Sequence, residues 1–387
     1  MAQGSRQRSE ITALGKYRRH IEFAALLLLA AAILWWFGRR LDWNLVRAAV
    51  RQSDWRLIVL ACLVIVLAYL WRAFRWRAFL APFGRASLRE LWVATVVGFG
   101  AILLVGRAGE VVRPVVLLMR DRGVKPAASF VTIVIERVYD SLMVVFAFAV
   151  SLALLNPPAG AGGEFAHVRQ AGWLLVGLGI VAVAALSRFR LKSRQFSDWL
   201  EKALNKWPRF PLKLKRLVLS LIDQLALALG VLANARELAV TVAWTAMLWG
   251  SIVGANLLIL RAFDLRVAGQ PLGLTQALFI LGWSMVGSAV PTPGGAAGAF
   301  HAATGAGLVL LGVAKEQAAA VAIVLHLVDF GPAAVFGLFY LLRGDIDLAH
   351  LRTLIKSEAV EHAVEDEKIV PDEALNGKEL QTVGAKD

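Results

Sequence analysis

The 387-residue sequence is poor in the residues that staple or catalyse in soluble proteins. It holds a single cysteine, Cys62, which excludes a disulfide framework and a cysteine metal site. Acidic residues are also scarce: 28 Asp and Glu stand against 42 Lys and Arg, a formal net charge of +14. There is no Walker-type phosphate loop, no zinc-protease histidine pair on a helix and no nucleophile elbow. The Gly15-Lys16 pair has no phosphate loop before it. The chain is therefore not expected to be an enzyme or to carry a cofactor or metal, and ATP-driven work would need a partner.

What the sequence does have is apolar length. Hydrophobic residues make up 58% of it, against about 45–50% in an average soluble domain. The excess lies in blocks near 21–37, 57–71, 91–105, 127–155, 170–187, 237–263, 271–290, 298–313 and 318–342. Such blocks read as membrane spans, each needing about 20 residues. The first follows Lys16-Tyr17-Arg18-Arg19 and ends in Trp35-Trp36 and Arg39-Arg40, with no small-residue cleavage site, so it reads as a retained signal anchor. Because the positive charges flank apolar spans, they point to membrane topology and anionic lipid headgroups rather than nucleic acid.

Charge bias sorts the blocks. Residues 188–236 carry eleven Lys and Arg against three Asp and Glu, and Arg72–Arg89 carries five arginines, so both are expected on the cytoplasmic side. Nine simple spans cannot place them together with the basic N-terminus. An all-α polytopic bundle of about six full spans plus two re-entrant helical hairpins can. Residues 91–119 would dip in from the cytoplasm and 271–313 from the opposite face. Both termini are then cytoplasmic, Asn156–Gln170 is external, and the basic loop Arg39–Arg56 is left outside as a misfit. The expected organisation is a basic N-terminus (1–20), a transmembrane domain (21–345) and an acidic, disordered tail (346–387). Within 188–236, Phe196, Trp199, Leu200, Ala203, Leu204 and Trp207 fall on one face of an amphipathic helix, and a second periodic stretch runs from Leu214 through Leu229.

Three constellations break the apolar runs. In Gly106–Pro114, glycines and a proline coincide with Arg107, Glu110 and Arg113. Arginine forks suit phosphate oxygens, and Gly109 allows close backbone approach; an ordinary basic loop explains the pattern as well. In Glu136–Asp140, three charges lie inside one span, with Glu136 and Asp140 on one face and Arg137 able to pair with Asp140. Intramembrane ionisable residues default to function, with a structural ion-pair network as the alternative. In Val290–Gly307, Pro293, Gly294 and Gly295 end one apolar segment and open a small-residue helix carrying His301. A broken helix aims backbone amides at an anion, whereas a plain turn followed by close packing needs the same residues. His326 and Asp329 in the last span are spaced to pair, either as a charge relay with Glu136 and Asp140 or simply as a satisfied buried histidine.

The ordered set GRAGEVVRP, ERVYD and PTPGG resembles the flippase-like membrane family that includes the transmembrane region of lysylphosphatidylglycerol synthase, over roughly residues 20–345. The resemblance implies movement of lipids or lipid-linked headgroups between leaflets of a cell membrane, a bacterial inner membrane in these relatives. It singles out Arg107, Gly109, Glu110, Arg113, Glu136, Arg137, Asp140, Pro293, Gly294 and Gly295. The chain departs from the pattern at Phe300-His301, where relatives often carry a glutamate, and at His326, where they often carry an arginine. Lysyl transfer is not expected, since the tail is short and acidic. The expected partners are membrane lipids with an anionic headgroup or a lipid-linked intermediate; lipid-synthesis enzymes and self-association stay open. A membrane-embedded enzyme using Glu136 or His326 as base, or a scaffold acting through 188–236, are the rival readings.

Overall fold

Helix boundaries follow the breakers in the sequence. No glycine or proline occurs between Asp54 and Pro82, and the chain forms one unbroken helix there, α2 (Trp55–Leu80), preceded by the short α1 (Trp43–Gln52). Both start on aspartate caps: Asp42 accepts from the Asn44 amide at 2.9 Å and Asp54 from the Arg56 amide at 2.9 Å. The computed structural model describes residues 28, 31–81, 83–84, 86–121, 123–124, 126–155, scattered positions between 170 and 202, 235–267, 269–290 and 292–344; for Arg107 and Pro293 it describes the backbone alone. The expectations for 1–20, Asn156–Gln170, the helix Phe196–Trp207 and the tail lie outside the described residues.

The remaining elements are α3 (Leu88–Val105), a 3-10 turn (Gly106–Val111), α4 (Val112–Arg120) and α5 (Pro126–Leu154). Then follow α6 (Ala235–Ala262), a two-residue hairpin β1 (Arg266–Val267) and β2 (Gln270–Pro271), α7 (Leu274–Ser288), α8 (Pro293–Leu310) and α9 (Lys315–Leu342). The strands pair antiparallel, Arg266 opposite Pro271. The described fold is thus all-α apart from this hairpin. The segments Trp55–Leu80, Leu238–Ala262 and Lys315–Leu342, of 26, 25 and 28 residues, are long and apolar enough to cross a membrane, which takes about 20 residues.

Contacts between helix ends fix the arrangement. At one end the Asp54 amide donates to the Ala262 carbonyl at 2.8 Å, and Lys315 Nζ to the Arg40 carbonyl at 3.2 Å. At the other, the Ser87 amide donates to Asp121 Oδ2 at 3.3 Å and Arg120 pairs with Glu90. The α3–turn–α4 unit is therefore a hairpin with both outer ends at the second end of the bundle. The α7–α8 unit is a hairpin opening toward the first end, since α7 follows β2 and α8 leads within five residues into α9. The two tips meet where the 3-10 turn packs on α8. Small residues let backbones close up: a Cβ on Gly100 would sit 3.0 Å from the Ala333 carbonyl, and one on Gly337 3.1 Å from the Val96 carbonyl.

Two expectations need correction. Arg72 does not begin a cytoplasmic loop; α2 continues to Leu80 and carries Arg72 and Arg75 into the interior. Nothing breaks the helix there, and buried carboxylates on α5 wait for both guanidinium groups. The stretch Arg39–Arg56 is not a plain loop either. It contains α1, which buries Val46 and packs on α9.

Candidate functional site

Four helical segments bring seven charged side chains together, and a fifth adds a tryptophan. Asp140 on α5 is the hub. Arg75 Nη1 donates to its Oδ1 at 2.7 Å, Arg72 Nη1 to its Oδ2 at 3.3 Å, and Trp249 Nε1 on α6 to Oδ1 at 3.2 Å. Arg137 lies 3.4 Å from Oδ2, the i, i+3 pairing that the spacing allows. One turn back, Glu136 takes Arg113 Nη1 at 2.6 Å and lies 3.6 Å from Arg75 Nη2. The second distance is too long for a hydrogen bond, so that pair is held by charge alone. Glu110 in the 3-10 turn completes the set, 3.7 Å from Arg137.

These groups form two layers. Arg75, Arg113 and Glu136 are shut in, with side chains at most 1% exposed. Arg113 stacks on Trp76 at 4.5 Å, and the Phe99 ring meets both its guanidinium, at 5.4 Å, and that of Arg72, at 4.5 Å. Such cation–π contacts partly replace lost hydration. Trp76 is itself tied to Thr132 Oγ1 at 2.9 Å. Arg72, Arg137, Glu110 and Asp140 instead line a cavity of about 540 Å³, within the usual range for ligand pockets. Arg137 is the most open of them, its side chain 34% exposed. The Nε atoms of Arg72 and Arg137 are buried and donate to nothing among the described residues. The accessible guanidinium of the set is that of Arg137, whose Nη atoms meet Glu110 and Asp140 only at 3.7 and 3.4 Å.

Most of the remaining cavity wall is apolar, including Ile65, Ile102, Val144, Phe148 and Ile252, with Tyr69, Ser141, Thr292 and Asp329 among the polar exceptions. Its third side is the α8 opening. Gly294, Gly295 and Ala296 take three successive left-handed conformations, φ 77°, 64° and 61°. This conformation costs alanine about 1–3 kcal/mol, so the break is held by its surroundings. His326 does this in part, its Nε2 lying 3.2 Å from the Gly295 carbonyl. Thr292, Gly295 and Ala296 line the cavity, and the Thr292 hydroxyl is buried with no partner among the described residues.

The sequence-derived candidates separate accordingly. Glu110, Arg137, Asp140 and Gly295 reach the cavity wall, and Arg113 and Glu136 lie behind it. Gly109 is a packing residue. A Cβ there would stand 2.5 Å from the Ile102 nitrogen and 2.7 Å from the Ala101 carbonyl carbon. Both are backbone atoms, so Gly109→Ala should destabilise the α3–turn hairpin by roughly 1–3 kcal/mol, read as a lower thermal midpoint in detergent. His301 is not at the cavity either; its ring faces His326 at 4.9 Å and Phe37 at 6.4 Å. The expected His326–Asp329 pair does not form. His326 turns to Gly295, while Asp329 lines the cavity with its carboxylate unpaired among the described residues. Three residues apart on α9, the two side chains diverge because the α8 break offers His326 a nearer carbonyl.

Arg72, Arg75, Trp249 and Thr292 were not among the candidates. The signal for the first two was present: Arg72, Arg75 and Trp76 recur at helical spacing in a stretch without a breaker. Trp249 and Thr292 carry no such mark.

A comparison with curated proteins finds no match. The family model of the lysylphosphatidylglycerol synthase TM region matches residues 23–337, which covers both hairpins, the charge cluster and the cavity, and the chain belongs to that family of membrane-embedded proteins.

Proposed function

We propose that the protein is a lipid translocator, moving an anionic lipid or lipid-linked headgroup between leaflets without a covalent step. The observation that carries this reading is the pairing of Arg72 and the partly exposed Arg137 with a largely apolar wall in one cavity. Charge-assisted bonds from Arg72 and Arg137 would hold phosphate oxygens. Glu110 and Asp140 hold those arginines aimed, and would receive them back when the headgroup leaves. The glycine break in the first turn of α8 would add backbone donors on the third side.

In this reading the two hairpins are re-entrant. The α3–turn–α4 unit would enter from the cytoplasmic face of an inner membrane and α7–α8 from the other, their tips bounding the site at mid-depth. Non-helical backbone is tolerated at that depth where protein or a wet cavity satisfies it. Gln52 at the end of α1 and Ser87 at the start of α3 then lie on opposite faces. Single cysteines at these positions, in a Cys62→Ser background, should label from opposite sides of inside-out and right-side-out vesicles. Same-side labelling would overturn the topology.

The functional test is transfer itself. Liposomes holding the purified protein and a fluorescent phosphatidylglycerol should lose outer-leaflet probes to dithionite and then continue bleaching as inner-leaflet probes emerge. Protein-free liposomes should stop at the outer leaflet. Bleaching that stops at the outer leaflet with the protein present, for this lipid and for a panel of other phosphate-bearing lipids, would overturn the reading.

A further inference from the structure

One face of α5 is graded along its length. Arg137, Asp140, Ser141, Val144, Val145 and Phe148 follow at helical spacing, and all six line the cavity. The face thus passes from charged to wholly apolar over eleven residues, about 16 Å of helix. α7 runs antiparallel beside it and presents Gly282, Met285, Val286 and Ala289 at the matching i, i+3, i+4, i+7 spacing, again all on the cavity wall.

The two helices touch at one level and part at the next. At the far apolar level Phe148 fills the place where a Gly282 side chain would stand, and it meets Phe279 at a centroid distance of 5.9 Å. Seven residues away on each helix, Ser141 and Ala289 are exposed, and so are Val145 (40%) and Val286 (56%) between them. These four residues belong both to the cavity wall and to the exposed surface. The cavity is therefore a slot, closed by Phe148 against Gly282 and open sideways between α5 and α7. In the proposed topology the opening lies at membrane depth, where hydrocarbon would meet it.

We infer that this slot holds one hydrocarbon chain of a membrane lipid, upright along α5, with the lipid's phosphate at Arg72 and Arg137 and the chain running toward Phe148. The inference rests on the proposed translocation site and adds how the substrate occupies it. The chain stays in contact with the bilayer through the side opening while only the headgroup enters the protein. A water-soluble phosphate ester would leave the apolar track and its opening without an occupant. The polarity gradient matches an amphiphile, and its direction sets which end lies where.

Photolabelling tests this without requiring transfer. The purified protein in mixed micelles is irradiated with phosphatidylglycerol bearing a diazirine part-way down one chain, and the labelled peptides are mapped by mass spectrometry. The expected result is labelling concentrated at Val144, Val145, Met285 and Val286, above the level at Leu327 and Val335. The last two are exposed apolar positions on α9, 62% and 68% accessible, and report ordinary annular lipid. Val145→Trp should fill the slot and remove the excess labelling, with the thermal midpoint unchanged. Excess glycerol 3-phosphate should leave the chain labelling in place. Labelling no greater in the slot than at α9, or unchanged by Val145→Trp, would overturn the inference. If slot labelling is found but no lipid moves in liposomes, the binding inference stands and translocation is what fails.

Discussion

Asp140→Ala should be the most damaging single substitution in the described bundle. It removes at once the acceptor for Arg72, Arg75 and Trp249 and the close partner of Arg137. Arg75 is fully buried, and its Nε has no partner among the described residues. A buried charge left without its counter-ion costs on the order of 3–5 kcal/mol; Arg72 loses its one carboxylate partner among the described residues, and Arg75 keeps only Glu136, at 3.6 Å. The expected outcome is low recovery from membranes and a large fall in thermal midpoint in detergent, followed by tryptophan fluorescence. Arg266→Ala is the control, because Arg266 and its partner Asp264 are exposed at 57% and 74%. Surface pairs of that kind contribute little, so its midpoint should match wild type. Equal midpoints for the two variants would show that the charge cluster does not hold the helices together.

Arg137→Gln should do the reverse, removing transfer while sparing the fold. Arg137 is the most open arginine of the cluster and its two carboxylate contacts are long, at 3.4 and 3.7 Å. Its contribution to stability is correspondingly small, while its side chain, 34% exposed, lines the cavity. Hydrogen bonds to charged groups are worth about 1.5–3 kcal/mol, so losing its contact to a headgroup should slow transfer roughly 10- to 100-fold. Arg137→Lys keeps the charge but loses the planar fork, and should recover only part of the rate. The assay is dithionite bleaching of fluorescent phosphatidylglycerol in liposomes. Wild-type rates in Arg137→Gln would remove this residue from the mechanism.

The contrast between these residues explains what the sequence made legible. Glycine, proline and charge inside apolar runs pointed to both hairpins and to α5, because each of those features is costly at membrane depth unless the structure uses it. Local spacing also sufficed for Arg137 with Asp140. It did not suffice for Arg72 and Arg75, which look like flanking positive charges until their carboxylates on α5, 65 and 68 residues later, are placed beside them. His326 and Asp329 failed for the same reason in reverse. Helical spacing made them neighbours, but the backbone break at Gly295 gave the histidine a better acceptor. Trp249 and Thr292 have apolar or small-residue surroundings in sequence, and only the fold turns them toward the site. The cavity itself, bounded by segments from residue 65 to residue 330, has no local signature.

The central claim is that Arg72 and Arg137 hold a lipid phosphate in this cavity. Native mass spectrometry of the protein, released from detergent with its bound lipid, tests it most directly. The account predicts a phosphate-bearing lipid retained by wild type and lost from the folded Arg72→Gln, Arg137→Gln double variant. Equal retention of that lipid by both proteins would contradict it.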